Sequence, residues 1–293
     1  CFVIGTGIAF THQYRFAAAE TVEKNDSSRA ISILLLATIL SALIGPNVAN
    51  FTKNIISEHL YTGSYISLAV LLIIPVFLLV FYRTDNNPKT IKNTNSNQRS
   101  YLELLQNPII LQAIVTAAFA YSMMSFIMTA TPISMYKIHG FTLGSTSIVI
   151  QLHIIGMFLP SLITGSLIKK YGHSAIIYSG SLIYLICISL SFFDQTFINY
   201  LIALILLGIG WNFLFIGGTS LLVLCYKDSE KFKVQGFNDV IVFSIQSIAS
   251  LIAGYSILKF SWNQINTICI PLILLIIIVS IRAEIYKKKL IIS

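Results

Sequence analysis

The chain has 293 residues, of which 56% are hydrophobic and only 10% charged, with a mean hydropathy of +0.81 and a formal charge of +8. A soluble domain carries about a quarter charged residues, so this composition excludes a soluble globular enzyme, a disordered protein and a disulfide-stapled secreted domain. The basic excess does not indicate a nucleic-acid partner, because the cations lie between long apolar runs in the pattern of a protein whose partner is the lipid bilayer.

Nine stretches hold no Asp, Glu, Lys or Arg, and eight of them are at least 19 residues long. A helix rises about 1.5 Å per residue, so roughly 20 residues cross a ~30 Å hydrocarbon core. Barrel strands would be half as long and would alternate. In lipid each backbone amide must be bonded within its own segment, so these runs are predicted to be helices. Trimmed for turns, the predicted spans are 1–13, 30–51, 63–82, 108–132, 145–168, 174–193, 199–224, 238–258 and 264–282. Arg15 ends the first run early, and with no basic n-region it does not read as a signal peptide. It reads as the end of a longer span, so the chain is expected to be the C-terminal part of a longer protein.

Loops between alternate spans separate by charge. One set, with the C-terminal tail, holds sixteen Lys and Arg; the other holds only Lys53, Lys137 and Lys259. The positive-inside rule places the first set and the C-terminus in the cytoplasm. Nine spans that end inside begin outside. The longest polar loop, 83–107, divides three spans from six, and two equal halves would make twelve. The predicted organisation is therefore 1–82 as the remainder of an N-terminal bundle, 83–107 as a cytoplasmic central loop whose polar stretch 84–100 reads as a flexible linker, and 108–293 as a six-helix C-terminal bundle.

Several short motifs fall in order along this frame. In a predicted cytoplasmic loop, Gly165-Ser-Leu167-Ile-Lys169-Lys170-Tyr-Gly172-His173 resembles the G-x-L-x-D-R-x-G-R-R signature of the major facilitator superfamily, in the copy carried by the second half. Gly165, Leu167 and Gly172 match, Lys170 and His173 keep the basic character, and Lys169 stands where the family has Asp. Gly5-Thr-Gly7-Ile-Ala9 resembles the end of the fourth helix. Tyr14-Arg15-Phe-Ala-Ala-Ala-Glu20 is similar to a loop motif of one bacterial group. Gly45-Pro46 resembles the fifth-helix Gly-Pro motif, with Ser41, Ala49 and Asn50 in place of the flanking glycines of the antiporter version. Leu105-Gln-Asn-Pro108 and Gly208-Ile-Gly-Trp211-Asn212 also resemble segments of that group.

The resemblance implies an all-α polytopic fold of two six-helix bundles, with about nine of twelve helices present, and secondary active transport by alternating access. The expected cargo is a small organic solute, driven by an ion gradient (H+ or Na+), carried by a monomeric permease in a bacterial inner membrane. The alternatives are a non-functional remnant of such a transporter, or a membrane-embedded enzyme or receptor, for which no clustered polar site is seen. In the family the first, fourth, seventh and tenth helices line the cavity, which here implicates 1–13, 108–132 and 199–224.

Candidate cavity residues follow. Gly208, Asn212, Phe215 and Thr219 share a helical face, and Asn212 with neighbouring Trp211 reads either as substrate contact or as a polar tie between helices. Gln112, Thr116 and Met123 share a face of 108–132, with Tyr121 nearby. Asp239, near a span end, is expected to pair with a cation of the preceding loop. His153 is the most deeply embedded titratable group, a possible proton relay or a hydrogen-bonded packing residue. Ala37, Ser41, Gly45 and Ala49 form a small-residue ridge suited to helix packing, and Pro46 is expected to kink that span. There is no nucleotide-binding Gly-Lys-Ser/Thr loop and no metal-ligand spacing. Cys1, Cys187, Cys225 and Cys269 read as small apolar fillers, so no cofactor and no metal are expected.

Overall fold

The structure is a computed structural model that describes residues 2–56, 61–81 and 98–292. Every regular element among the described residues is helical: α1 (Phe2–Glu20), α2 (Ser27–Thr52), α3 (Thr62–Phe81), α4 (Tyr101–Gln106), α5 (Pro108–Pro132), α6 (Leu143–Phe158), α7 (Ser161–Tyr171), α8 (His173–Leu190), α9 (Phe197–Cys225), α10 (Lys231–Lys259), α11 (Trp262–Thr267) and α12 (Ile270–Ile292). Six helical stretches among them are long and apolar enough to cross a membrane, all within residues 108–289, and Thr62–Leu78 is a shorter apolar helix. The other expected spans coincide with α1 and α2.

Contacts divide the chain into two compact units, residues 1–37 with 98–293, and residues 38–97. In the first unit α5 and α9 are buried on nearly all sides, the mark of central helices. α5 packs on α9, α10 and α12, and α9 packs also on α6 and α8. In the second unit the end of α2 meets α3 through a Thr52–Ser67 hydroxyl pair at 3.1 Å. Gly45 there lines a cleft of about 300 Å³ with Val48, Tyr61 and Tyr65. A Cβ at Gly45 would meet nothing within 4 Å among the described residues. The side chains of Pro46 and Ala49, and residues 83–97 of the expected linker, lie outside the described residues.

Three expectations are corrected. First, α1 does not stop before Tyr14 but continues to Glu20. Ala17, Ala18 and Ala19 are strong helix formers, and Arg15 is buried rather than looped out. Second, the span expected at 145–168 lies within the apolar stretch Leu143–Tyr171, but it is not one unbroken helix: α6 gives way to α7 at Leu159-Pro160, where proline cannot donate to the helix ladder. Third, the end of the linker is ordered. Ser100 and Glu103 cap α4 reciprocally, Gln98 Nε2 donates to the Ser229 carbonyl at 2.7 Å, and Arg99 pairs with Glu230. Glu230 also raises the pKa of Arg99, through the hydrogen bond before its charge.

Candidate functional site

The side chains that meet near the C-terminal half of α1 come from five helices. Tyr121 of α5 is the hub. Its ring stands edge-on to Trp211 and Phe215 of α9, each with centroids at 5.4 Å, and to Phe243 of α10 at 5.7 Å. Trp211 and Phe215, one helical turn apart, stack at 4.8 Å with their planes only 12° apart. Phe158 of α6 stands at 84° to the indole with centroids at 5.8 Å, and the His12 ring of α1 lies 4.2 Å from that of Phe243. Edge-to-face and offset stacking are the geometries aromatic quadrupoles favour.

Arg15 enters this cluster one turn after His12. Its side chain is 3% exposed, and its Cζ lies 4.7 Å from the Phe16 centroid, 5.1 Å from Phe215 and 5.6 Å from Phe243. Nη2 pairs with the Asp239 carboxylate of α10. The second Asp239 oxygen accepts from Gln13 Nε2 at 2.5 Å, and the first also accepts from Asn238 at 2.9 Å. Arg15 Nε and Nη1 and Trp211 Nε1 are buried with no hydrogen-bond partner among the described residues. Beside the ion pair opens a cleft of about 640 Å³ lined by Gln13, Asp239, Val240, Phe243, Ser244 and Ser247.

Asp239 was expected to pair with a cation of its own preceding loop; its partner is instead Arg15, 224 residues away. A guanidinium survives at this depth because a carboxylate neutralises it and aromatic faces replace water. The structure thus brings together two sequence candidates, Tyr121 and Trp211, with Arg15, which had been read only as a loop residue. His12, Gln13, Phe158 and Phe243 were missed. Two signals were available: His12 and Arg15 are three apart, and Asp239 and Phe243 four apart, so each pair shares a helical face.

The other candidates lie elsewhere. Asn212 is fully buried and turned toward α6 and α7: it donates to the Met157 carbonyl and to Ser161 Oγ, and accepts from Thr164 Oγ1, all at 2.7 Å. Asn212→Leu is expected to lower stability by about 1–2 kcal/mol by stranding those partners. Thermal unfolding in detergent checks this, and an unshifted midpoint contradicts it. His153 is fully buried, and its Nδ1 lies 2.7 Å from the Leu204 carbonyl, tying α6 to α9. Gln112 and Thr116 are fully buried, and their polar side-chain atoms have no hydrogen-bond partner among the described residues.

The loop motif has a clear structural account. A Cβ on Gly165 would lie 2.7 Å from the Arg29 Cα, so only glycine lets α7 meet the start of α2 there, where Ser28 Oγ donates to the Gly165 carbonyl. Gly172 ends α7 at φ +85°, a conformation that side chains resist. Leu167 packs on the core, and Lys170 lies over the Tyr171 ring. Lys169, the departure from the family's Asp, meets an acid: its Nζ donates to Asp26 at 2.6 Å and, with its charge, lowers that carboxyl's pKa. Glu20 accepts from Lys231 at 2.7 Å and Gln235 at 3.0 Å, and Lys24 faces Asp228 at 3.9 Å. Tyr14, the remaining motif residue, is exposed. Among the described residues no group of His, Cys, Asp and Glu could hold a metal.

Comparison with known proteins agrees with this architecture. The family model described as Major Facilitator Superfamily matches residues 2–187 and, in a second placement, 113–290. The riboflavin transporter RfnT of Brucella anthropi is 34% identical over 94% of this chain and 71% of its own length. The uncharacterized MFS-type transporters YddS and YdeG of Bacillus subtilis are each 30% identical, over 93% and 91% of this chain and 67% and 65% of their own lengths. The chain thus spans about two thirds of the length of these relatives.

Proposed function

The chain belongs to the Major Facilitator Superfamily, and from that premise we propose that it serves secondary active transport of a planar heteroaromatic solute of the riboflavin kind. It is an integral membrane protein. The observation that carries the substrate class is the aromatic cluster of Tyr121, Trp211, Phe215 and Phe243 beside a cleft, with the Arg15–Asp239 pair at its edge. A flat ring is held by flat faces at little entropic cost, because aromatic side chains have few rotors to freeze. The 34% identity to a riboflavin transporter supports the same class.

In this reading α1, α5 and α9 take the places of the fourth, seventh and tenth helices of the family and line the path. The bundles rock about it, powered by an H+ or Na+ gradient, in a bacterial inner membrane with the C-terminus in the cytoplasm. The ion pairs from Glu20, Lys24 and Asp26 to Lys231, Asp228 and Lys169 then sit on the cytoplasmic side and hold that side shut in the conformation described. Lys169→Asp is expected to slow transport, by setting a carboxylate against Asp26, and the double swap Asp26→Lys/Lys169→Asp to restore at least half of it. Equal loss in the single and double variants would contradict the pairing. The lowered Asp26 pKa means that this contact is complete above the ordinary carboxylate range and is lost only as pH falls through the lowered value, so it is constant near neutrality.

The test of the function is uptake and efflux of labelled riboflavin in cells that cannot make it, with and without a protonophore and with Na+ replaced. Saturable flux that collapses with one gradient supports the reading. Flux equal to that of empty cells counts against the substrate class.

A further inference from the structure

Arg15 carries more donors than its neighbours use. A guanidinium has five N–H groups in one plane. In Arg15, Nη2 meets Asp239, while Nε and Nη1 are buried and bond nothing among the described residues. Buried donors left unpaired are costly, and a packed aromatic cluster has no acceptor to offer them. The rings of Phe16, Phe215 and Phe243 lie 4.7 to 5.6 Å from Cζ and make no in-plane hydrogen bond. Arg15 does not itself line the cleft; its carboxylate partner Asp239 and its neighbour Gln13 do, so the guanidinium lies directly behind the cleft wall.

We propose that the unpartnered Nε and Nη1 of Arg15 form the recognition point for carbonyl oxygens on the rim of a planar substrate, with Asp239 holding the guanidinium in register. This rests on the planar-solute reading above and deepens it. The aromatic faces select flatness, and Arg15 selects rings that carry exocyclic acceptors. Asp239 is a positioning residue: both its oxygens are taken by Arg15, Gln13 and Asn238. Lysine at position 15 would keep the charge that Asp239 needs and lose the planar donors.

The experiment compares wild type and Arg15→Lys for uptake of riboflavin, 2-thioriboflavin and 4-thioriboflavin, in which sulfur replaces one carbonyl oxygen as a weaker acceptor. The expected result is a KM for riboflavin raised at least about tenfold in Arg15→Lys (about 1.4 kcal/mol), with the maximal rate within threefold. At least one thioflavin should be penalised in wild type and not penalised further in the variant. An unchanged KM in Arg15→Lys, or the same thioflavin penalty in both proteins, overturns the proposal while leaving flavin transport standing. If Arg15→Lys does not accumulate, wild type decides: equal KM for all three flavins overturns the proposal, and a penalty supports it. If wild type moves no flavin, the substrate reading fails and the purified protein decides for Arg15. Thermal stabilisation by lumichrome, which bears carbonyls, but not by phenazine, which bears none, and its loss in Arg15→Lys, supports the recognition point. Stabilisation by neither, by both alike, or unaltered in the variant overturns it.

Discussion

Replacing Asp239 by alanine is expected to destabilise the protein by about 3–5 kcal/mol, because it leaves a buried charge uncompensated. Arg15 is 3% exposed and cannot reach water without unpacking α1, and Gln13 and Asn238 lose an acceptor at the same time. Asp239→Asn should fall between wild type and alanine, since the amide oxygen still accepts. The double variant Arg15→Met/Asp239→Leu should recover most of the lost stability, because apolar groups of similar volume need no compensation. It should not recover transport, because it removes the charge and the donors together. Thermal unfolding of the detergent-solubilised protein, read beside riboflavin uptake, separates the two effects. A melting temperature unchanged in Asp239→Ala would mean that the pair is not formed in the folded protein. Full transport in the double variant would mean that it has no part in function.

The second large effect is expected at Gly208. A Cβ there would stand 2.6 Å from the His153 carbonyl oxygen, 2.7 Å from the Met157 nitrogen and 2.8 Å from the Gly156 carbonyl carbon. All three are backbone atoms, so no side chain can turn aside to make room. Gly156 faces the same crossing from the other helix, with the Ile205 carbonyl oxygen 2.8 Å from where its Cβ would be. α6 and α9 therefore touch backbone to backbone, the arrangement small residues permit between helices in lipid, where dispersion and not water expulsion drives association. Gly208→Ala is expected to cost about 1–3 kcal/mol by overpacking, and Gly208→Leu to prevent accumulation of folded protein. Gly236→Ala is the control: a Cβ there meets nothing within 4 Å, and better helix propensity should leave stability unchanged or raised by up to about 1 kcal/mol. Equal melting temperatures for Gly208→Ala and Gly236→Ala would contradict the close crossing. Because α9 carries Trp211 and Phe215 one and two turns beyond Gly208, a wedge there should also weaken flavin uptake.

Arg15 shows why part of the site was not legible. A charge interrupting an apolar run ordinarily marks the edge of the bilayer, and that rule ended the first span at residue 13. The rule fails where a distant residue supplies the counter-charge, and no local pattern reveals that Asp239 lies across from position 15. Asn212 shows the converse. Spacing put it on one helical face with Gly208, Phe215 and Thr219, and left substrate contact and a polar tie between helices equally open; the break at Pro160 brings Ser161 and Thr164 to it, and three of its hydrogen-bonding positions are used within the bundle. Lys169 was legible only as a departure, and Asp26 explains it as a matched charge.

By itself the sequence determined that the protein is helical and resides in a membrane, since runs of this length and apolarity admit no other backbone that satisfies its own hydrogen bonds in lipid. It also determined the family, through glycines whose need is local: Gly172 for its positive φ and Gly165 for a close crossing. Tertiary structure alone decided which polar and aromatic side chains converge. Helical periodicity assigns each residue to a face of its own helix, but rotation and depth of one helix against another are settled by packing. In this chain that packing places Arg15 between Phe215, Phe243 and Asp239.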